Sequence, residues 1–252
     1  MRSAFRVICF YLILLLIWEG IFRLHLWPAF LFPSPLQVFE TLANGFYDKS
    51  FLIGIGISME RILLGFGISL VLGIVVGFCI GSFQMLDGTI GPLLNGLRSL
   101  PSICWFPLGL LWFGLNENAI NFVVIMGAAF CITLATDDGV KNISPLYLRA
   151  ASTMGAKGLK RFWYVILPAA LPSIITGMKL GWSFAWRALM AGEMLYVSLG
   201  LGHLLMMGRE LNDISQMFAV MLVIMALGLL VDKVVFGLME REMRIRWGLN
   251  AL

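Results

Sequence analysis

The residues that could do chemistry in this sequence are few, and most sit where water is scarce. Lys179, Arg187 and Glu193 lie within one long apolar run, with Arg187 near its middle in Trp182-Ser183-Phe184-Ala185-Trp186-Arg187. A charge in hydrocarbon is costly and usually faces a pathway or a partner. Arginine presents paired donors that match planar or tetrahedral oxyanions. Arg187, with Ser183, Trp186 and Glu193 beside it, is therefore a candidate to meet a small anion crossing a membrane. The competing reading is an internal ion pair between Arg187 and Glu193 or another carboxylate. Lys179 lies nearer one end of the run and is expected to snorkel.

Other candidates are weaker. Asp137 and Asp138 are adjacent carboxylates, but successive residues of a helix do not face each other. They are expected to be solvated or to contact a partner. Glu60 and Arg61 open another apolar run and read as structural. His25 and His203 are far apart, and Cys9, Cys79, Cys104 and Cys131 each sit in an apolar run without CxxC spacing. Neither a metal site nor a disulfide framework follows. No GxxxxGK[ST] is present, nor a nucleophile elbow or HExxH, so the chain is not expected to bind ATP by a P-loop or to be a hydrolase. A membrane enzyme would need a polar catalytic cluster, and Asp137–Asp138 lacks partners for one.

The elements that position these residues are membrane spans. Hydrophobic residues make up 60% of the chain and charged residues 13%, about half the charge of an ordinary soluble domain. Stretches such as Ile62–Phe83 and Phe122–Thr136 carry no charge. Backbone groups in hydrocarbon must bond internally, so such stretches are helices; the alternating polarity of a β-barrel is absent. Spans are expected near Val7–Leu24, Phe51–Phe83, Pro101–Leu115 (broken by Pro107), Ala119–Thr136, Leu171–Val197 and Met217–Glu240. Arg2 and Arg6 precede the first run as in a signal peptide, but no small-x-small site follows, which favours an uncleaved span. Ser34–Pro35 opens a short amphipathic helix over Leu36–Phe46. Gly73, Gly77 and Gly81 share a face and allow close helix approach, a packing signal.

Six spans put both termini on one side. Eleven basic residues then share that side, among them Lys141, Arg149, Lys157, Lys160, Arg161, Lys233 and Arg241, against Arg23, Lys49 and Arg209 on the other. The positive-inside rule makes the eleven-residue side cytoplasmic, in a multi-pass protein of a bacterial inner membrane. The net charge of +4 reports this topology, and no basic patch with interleaved aromatics suggests nucleic acid.

Asp137–Tyr164 is the longest polar segment, and 137–168 carries the sharpest signal. Ser144 is a good N-cap, Pro145 suits the first helical position, and Gly155 is placed to end the helix. A second short helix is expected over Leu159–Ile166, running into Leu167–Pro168. The string Arg149-Ala150-Ala151-(three)-Gly155-(nine)-Val165-x-Leu167-Pro168 resembles the signature loop of ATP-binding-cassette importer permeases, Glu-Ala-Ala-x3-Gly-x9-Ile-x-Leu-Pro. Two positions depart: Arg149 stands where the family has Glu, reversing a charge, and Val165 replaces Ile. Phe32-Pro33-Ser34-Pro35, Leu97–Pro101, Phe106-Pro107-Leu108, Trp112-Phe113-Gly114, Thr176-Gly177, Gly192-Glu193-Met194 and Gly200-Leu201-Gly202 resemble the nitrate, sulfonate and taurine subgroup.

That resemblance implies an all-α integral membrane protein of the type I importer fold, with about six transmembrane helices in a single permease domain spanning residues 1–252. It implies a cytoplasmic coupling helix in which Arg149, Ala150, Ala151, Gly155, Leu167 and Pro168 meet an ATPase. The implied partners are a second permease copy, two cytoplasmic ATPases that hold the ATP and magnesium, a periplasmic or lipid-anchored binding protein, and membrane lipid. The chain itself would carry no cofactor and would pass a sulfonate, taurine, nitrate or similar oxyanion inward. The alternative is a secondary transporter working alone, which predicts internal repeats; none is evident.

Overall fold

The computed structural model describes residues 2–28, 31–195 and 199–247. All regular structure among them is helical: α1 (Arg2–Arg23), α2 (Pro35–Tyr47), α3 (Ser50–Ser82), α4 (Gln84–Arg98), α5 (Ser102–Phe113, its first turn 3-10), α6 (Glu117–Lys141), α7 (Pro145–Thr153), α8 (Leu159–Leu195), α9 (Leu201–Glu210) and α10 (Ile214–Arg246). Five of these, namely α1 from Phe5, α3, α6, α8 and α10, are long and apolar enough to cross a membrane. The expected span at Pro101–Leu115 is shorter, and the expected fifth span at Leu171–Val197 begins earlier, at Leu159; Val197 lies outside the described residues.

The chain forms two compact units, Met1–Ser58 with Val197–Ala226, and Met59–Tyr196 with Leu227–Leu252. In the first, the amphipathic helix α2 starts at a capping box. Ser34 Oγ accepts from Gln37 N at 3.2 Å, and Ser34 N donates to Gln37 Oε1 at 2.9 Å. Trp18 Nε1 donates to Pro33 O at 3.0 Å, which ties α1 to the preceding loop. Val38 is buried, whereas Leu36, Phe39 and Phe46 face outward, as suits an element in contact with lipid. Ser58 Oγ accepts from Leu201 N at 2.9 Å and anchors α9.

The second unit is built on α6, which packs against two helices through small residues. A Cβ at Gly65 would lie 2.6 Å from Val124, one at Gly73 2.8 Å from Ile132, one at Gly77 2.5 Å from Thr133 O, and one at Gly81 2.8 Å from Val140. The two numberings rise together, so α3 and α6 are parallel. Gly177 faces Ala135, Gly181 faces Ile132 and Gly192 faces Ile120, so α8 is antiparallel to α6. The glycine stripe read from the sequence thus works as packing: small residues bring backbones together where no hydrophobic drive acts.

Parallel α3 and α6 require a return passage between them. It is made in two pieces. Asp87 of α4 meets Lys141 at one end of α6, and α4 ends at Arg98, which shares a cavity wall with Cys131. From there α5 continues, with Trp105 near Phe130 (6.1 Å between rings) and Trp112 near Phe122 (5.5 Å). The helix of α5 is 12 residues, about 18 Å at a regular rise, too short alone for a hydrocarbon core of about 30 Å. The expected third span is therefore half of a broken passage, whose break, at Ser99–Pro101, lies level with the middle of α6.

Candidate functional site

The 137–168 segment is organised by capping and by glycine. Ser144 Oγ accepts from Leu146 N at 3.4 Å and Pro145 occupies the first turn of α7. At the other end Ala156 N donates to Ala151 O at 2.9 Å and Gly155 N to Ser152 O at 3.1 Å. This pair of bonds is a Schellman closure, which needs a left-handed residue at Gly155; its φ is +79°. Gly158, at φ +55°, turns the chain again into α8. Nothing lies within 4 Å of a Cβ at Gly155, so its backbone, and not its surroundings, demands glycine.

The second short helix expected before Leu167 is instead continuous with α8. Phe162–Ile166 form a π turn leading into Leu167, Pro168 and Pro172. Proline removes a donor and crowds the preceding turn, and a locally wider helix absorbs this. Leu167 packs on the cluster of Phe78, Ala170 and Ile174, while Pro168 faces α7. Ala151 is buried, with Arg149, Ala150 and Gly155 exposed. Around them the surface is apolar: Leu146, Tyr147, Met154, Leu159, Trp163 and Tyr164 are all outward, Met154 at 87%. A shallow cavity of about 320 Å³ opens between Tyr147, Ala151, Tyr164, Pro168 and Trp247. On the opposite flank Arg149 and Arg161 line a second depression. The turn thus exposes an aromatic patch on one flank and two cations on the other.

Within the helices, most charges are paired. Arg61, 3% exposed, donates to Glu193 Oε1 and to Glu117 Oε1, both at 2.9 Å, and so pins α3, α8 and α6 together. Lys141 bonds Asp137 at 2.7 Å and Asp87 at 2.5 Å. Lys179 meets Asp232 at 3.4 Å and Glu240 at 3.3 Å on α10. Arg187 is different. Its Nε donates to Ser183 O at 3.1 Å and its guanidinium lies 4.6 Å from the centre of the Phe184 ring. It lines a cavity of about 270 Å³ with Arg98, Ser99, Ser102, Cys131 and Phe184 among the wall residues. Among the described residues, no group of His, Cys, Asp and Glu is arranged to hold a metal ion.

Residues 69–245 match the family described as binding-protein-dependent transport system inner membrane component. The chain belongs to this family. It is 36% identical over 178 residues to a putative ABC transporter permease of Methanocaldococcus jannaschii, covering 70% of this chain and 67% of the relative. It is 30% identical over 203 residues to the taurine transport system permease protein of Escherichia coli, covering 79% and 74%. The membrane subunit in an inward-facing structure of the MetNI methionine ABC transporter superposes with a TM-score of 0.66, covering 77% of this chain and 96% of that one at 19% identity, a likeness of fold. The resemblance drawn from the signature loop is thereby established: this is an ABC-importer permease, a transport subunit and not an enzyme.

The permease's candidate pathway residues divide. Ser183 and Arg187 share the outward face of α8, whereas Trp186 and Glu193 are buried against the rest of the unit, Trp186 stacked on Trp182 at 6.4 Å. The internal pair of Arg187 with Glu193 is not formed, because Glu193 is bonded to Arg61. Two other expectations are corrected. Asp137 is buried under Lys141, not solvated, while Asp138 does face a cavity. Lys179 is ion-paired instead of snorkelling. Arg61 is structural, as expected, and forms the centre of a three-helix clamp. Arg98 carries no local signal of a site residue, because it lies in a polar connection and not inside an apolar run; the Ser99-x-Pro101 that follows marks the break in the passage.

Proposed function

We propose that this permease works as a pair of copies over two cytoplasmic ATPases, receives cargo from an external binding protein, and passes a small oxyanion into the cytoplasm. The observation that carries the assembly is the exposed face of α7: an apolar surface closed by a left-handed glycine, on the same end of the unit as Lys141 and the basic end of α10. Alone it would be a liability in water; covered by a groove on an ATPase it becomes a joint. The positive-inside bias supports placing this end, and the chain termini, in the cytoplasm. In this reading residues 1–252 act as one permease domain.

Arg149, Ala150 and Ala151 present the docking surface, Gly155 fixes its angle, and Leu167 and Pro168 join it to α8. Closure of the ATPases on ATP, with its magnesium, would push α7 and so tilt α8. Because Arg149 and Arg161 leave this rim positive, the matching ATPase groove is expected to be acidic. The oxyanion assignment rests on Arg187 in an α8 cavity and on the taurine named for the Escherichia coli relative. The test is purification of the tagged chain from native membranes in mild detergent, followed by uptake in proteoliposomes. Co-elution of a stoichiometric ATPase and ATP-dependent uptake of taurine, an alkanesulfonate or nitrate are expected. A chain that transports alone would overturn the reading.

A further inference from the structure

Between residues 59 and 195, outside the 142–161 segment, five basic residues lie on the helices: Arg61, Arg98, Lys141, Lys179 and Arg187. Three are held by carboxylates, as shown above. Arg98 and Arg187 form no ion pair among the described residues, and both line the same cavity, whose wall contains no carboxylate. The cavity sits level with the centre of α6: a Cβ at Gly127 would lie 3.5 Å from Ser102 Cβ and 3.1 Å from Ala188 Cβ. It also sits at the break of the return passage, where Ser99, Leu100 and Pro101 lie outside the α-helices and line the wall. Irregular backbone at mid-depth is tolerated where it faces a cavity, and broken helices at this depth mark binding sites in transporters.

We propose that Arg98 and Arg187 form a two-arginine station that binds the oxyanion in transit. Two guanidinium groups sharing one cavity repel each other until an anion lies between them. A planar or tetrahedral oxyanion offers each arginine its own pair of oxygens, and the hydroxyls of Ser99 and Ser102 add uncharged donors. Arg187 is held ready by Ser183 O and the Phe184 ring. Arg98, Ser99, Cys131 and Phe184 are also walls of a larger cavity of about 790 Å³, which continues past Ser173 and Thr176 to Asp138. Asp138 is two helical turns beyond Cys131, about 10 Å. The route from the station thus runs along uncharged polar groups and meets its first carboxylate near the end of α6. This inference rests on the oxyanion-importer reading and adds Arg98, the station and the exit side to it.

Cys131 lines both cavities and reports the potential directly. In the purified complex, with Cys9, Cys79 and Cys104 changed to Ala, the reporter is Cys131. Its thiolate attacks 2-sulfonatoethyl methanethiosulfonate or the trimethylammonioethyl analogue, forming a disulfide and releasing methanesulfinate. The anionic reagent, itself an alkanesulfonate, should react preferentially. The anionic-to-cationic rate ratio should fall about tenfold in Arg98→Gln and again in Arg187→Gln, and stay near its starting value in Arg98→Lys and Arg187→Lys. Millimolar ethanesulfonate should slow the anionic reagent before, and not after, both arginines are removed. A ratio unmoved by Arg98→Gln and Arg187→Gln overturns the station, even if oxyanion uptake persists. A ratio that falls as expected, in a complex that carries no oxyanion on ATP addition, keeps the station and removes the cargo assignment.

Discussion

The seam where α6 meets α3 and α8 and the α7 segment at its end both depend on glycine, for opposite reasons. At Gly77, Gly73, Gly177 and Gly181 the backbone is ordinary helix and the space is missing: a side chain would strike the neighbouring helix. At Gly155 the space is open and the backbone is the constraint, with φ at +79° and nothing within 4 Å. The seam is closed inward and clamped by Arg61, Glu117 and Glu193. The α7 segment turns its aromatic and apolar side chains outward. One region is finished within the chain; the other, in the proposed reading, is completed by a partner. Stability and coupling should accordingly separate by mutation.

The largest effect should come from filling the seam. Gly77→Leu drives a side chain into Thr133 O and Thr136, which costs about 3 kcal/mol or more where the obstacle is backbone; membrane-inserted yield should collapse, and a normal yield would show that the helices are not so close. Next is Arg61→Ala, which leaves Glu193, 1% exposed, buried without its cation. Removing one partner of a buried pair costs about 3–5 kcal/mol, read as a lower unfolding temperature in detergent. Adding Glu193→Gln should recover part of that loss, and no recovery would mean that the clamp is not electrostatic. Gly155→Val places a β-branched residue at a left-handed position, about 1–3 kcal/mol of local strain. It should lower coupling at least tenfold and the unfolding temperature little. The smallest effect is Ser144→Ala, which removes the α7 cap for about 1 kcal/mol; faster amide exchange confined to residues 146–149 is expected, with the seam unchanged.

Much of this was legible locally. The Ser34 capping box, the Ser144–Pro145 start of α7, its end at Gly155 and the packing glycines all rest on interactions within a few residues or on one helical face. What could not be read depends on chain segments meeting at a distance. Arg61 and Glu193 are 132 residues apart, and no periodicity joins them. Asp137 looks solvated by position and is buried because Lys141 and Asp87 converge on the same point. The short helix expected over Leu159–Ile166 and the span expected from Leu171 are one helix, because a π turn lets α8 run through Pro168 and Pro172. The first half of the broken passage, α4, does not read as part of a span because it carries the charges of Asp87 and Arg98. Those charges are affordable once they face Lys141 or a cavity.

The most direct test of the account is binding-protein-stimulated ATP hydrolysis, measured on the purified complex with the original residue and with Gly155→Val. The account predicts that the ATPase still co-elutes with the Gly155→Val permease while stimulation by the loaded binding protein falls at least tenfold. Undiminished stimulation in a fully assembled Gly155→Val complex would contradict it, because the left-handed closure of α7 would then carry no signal.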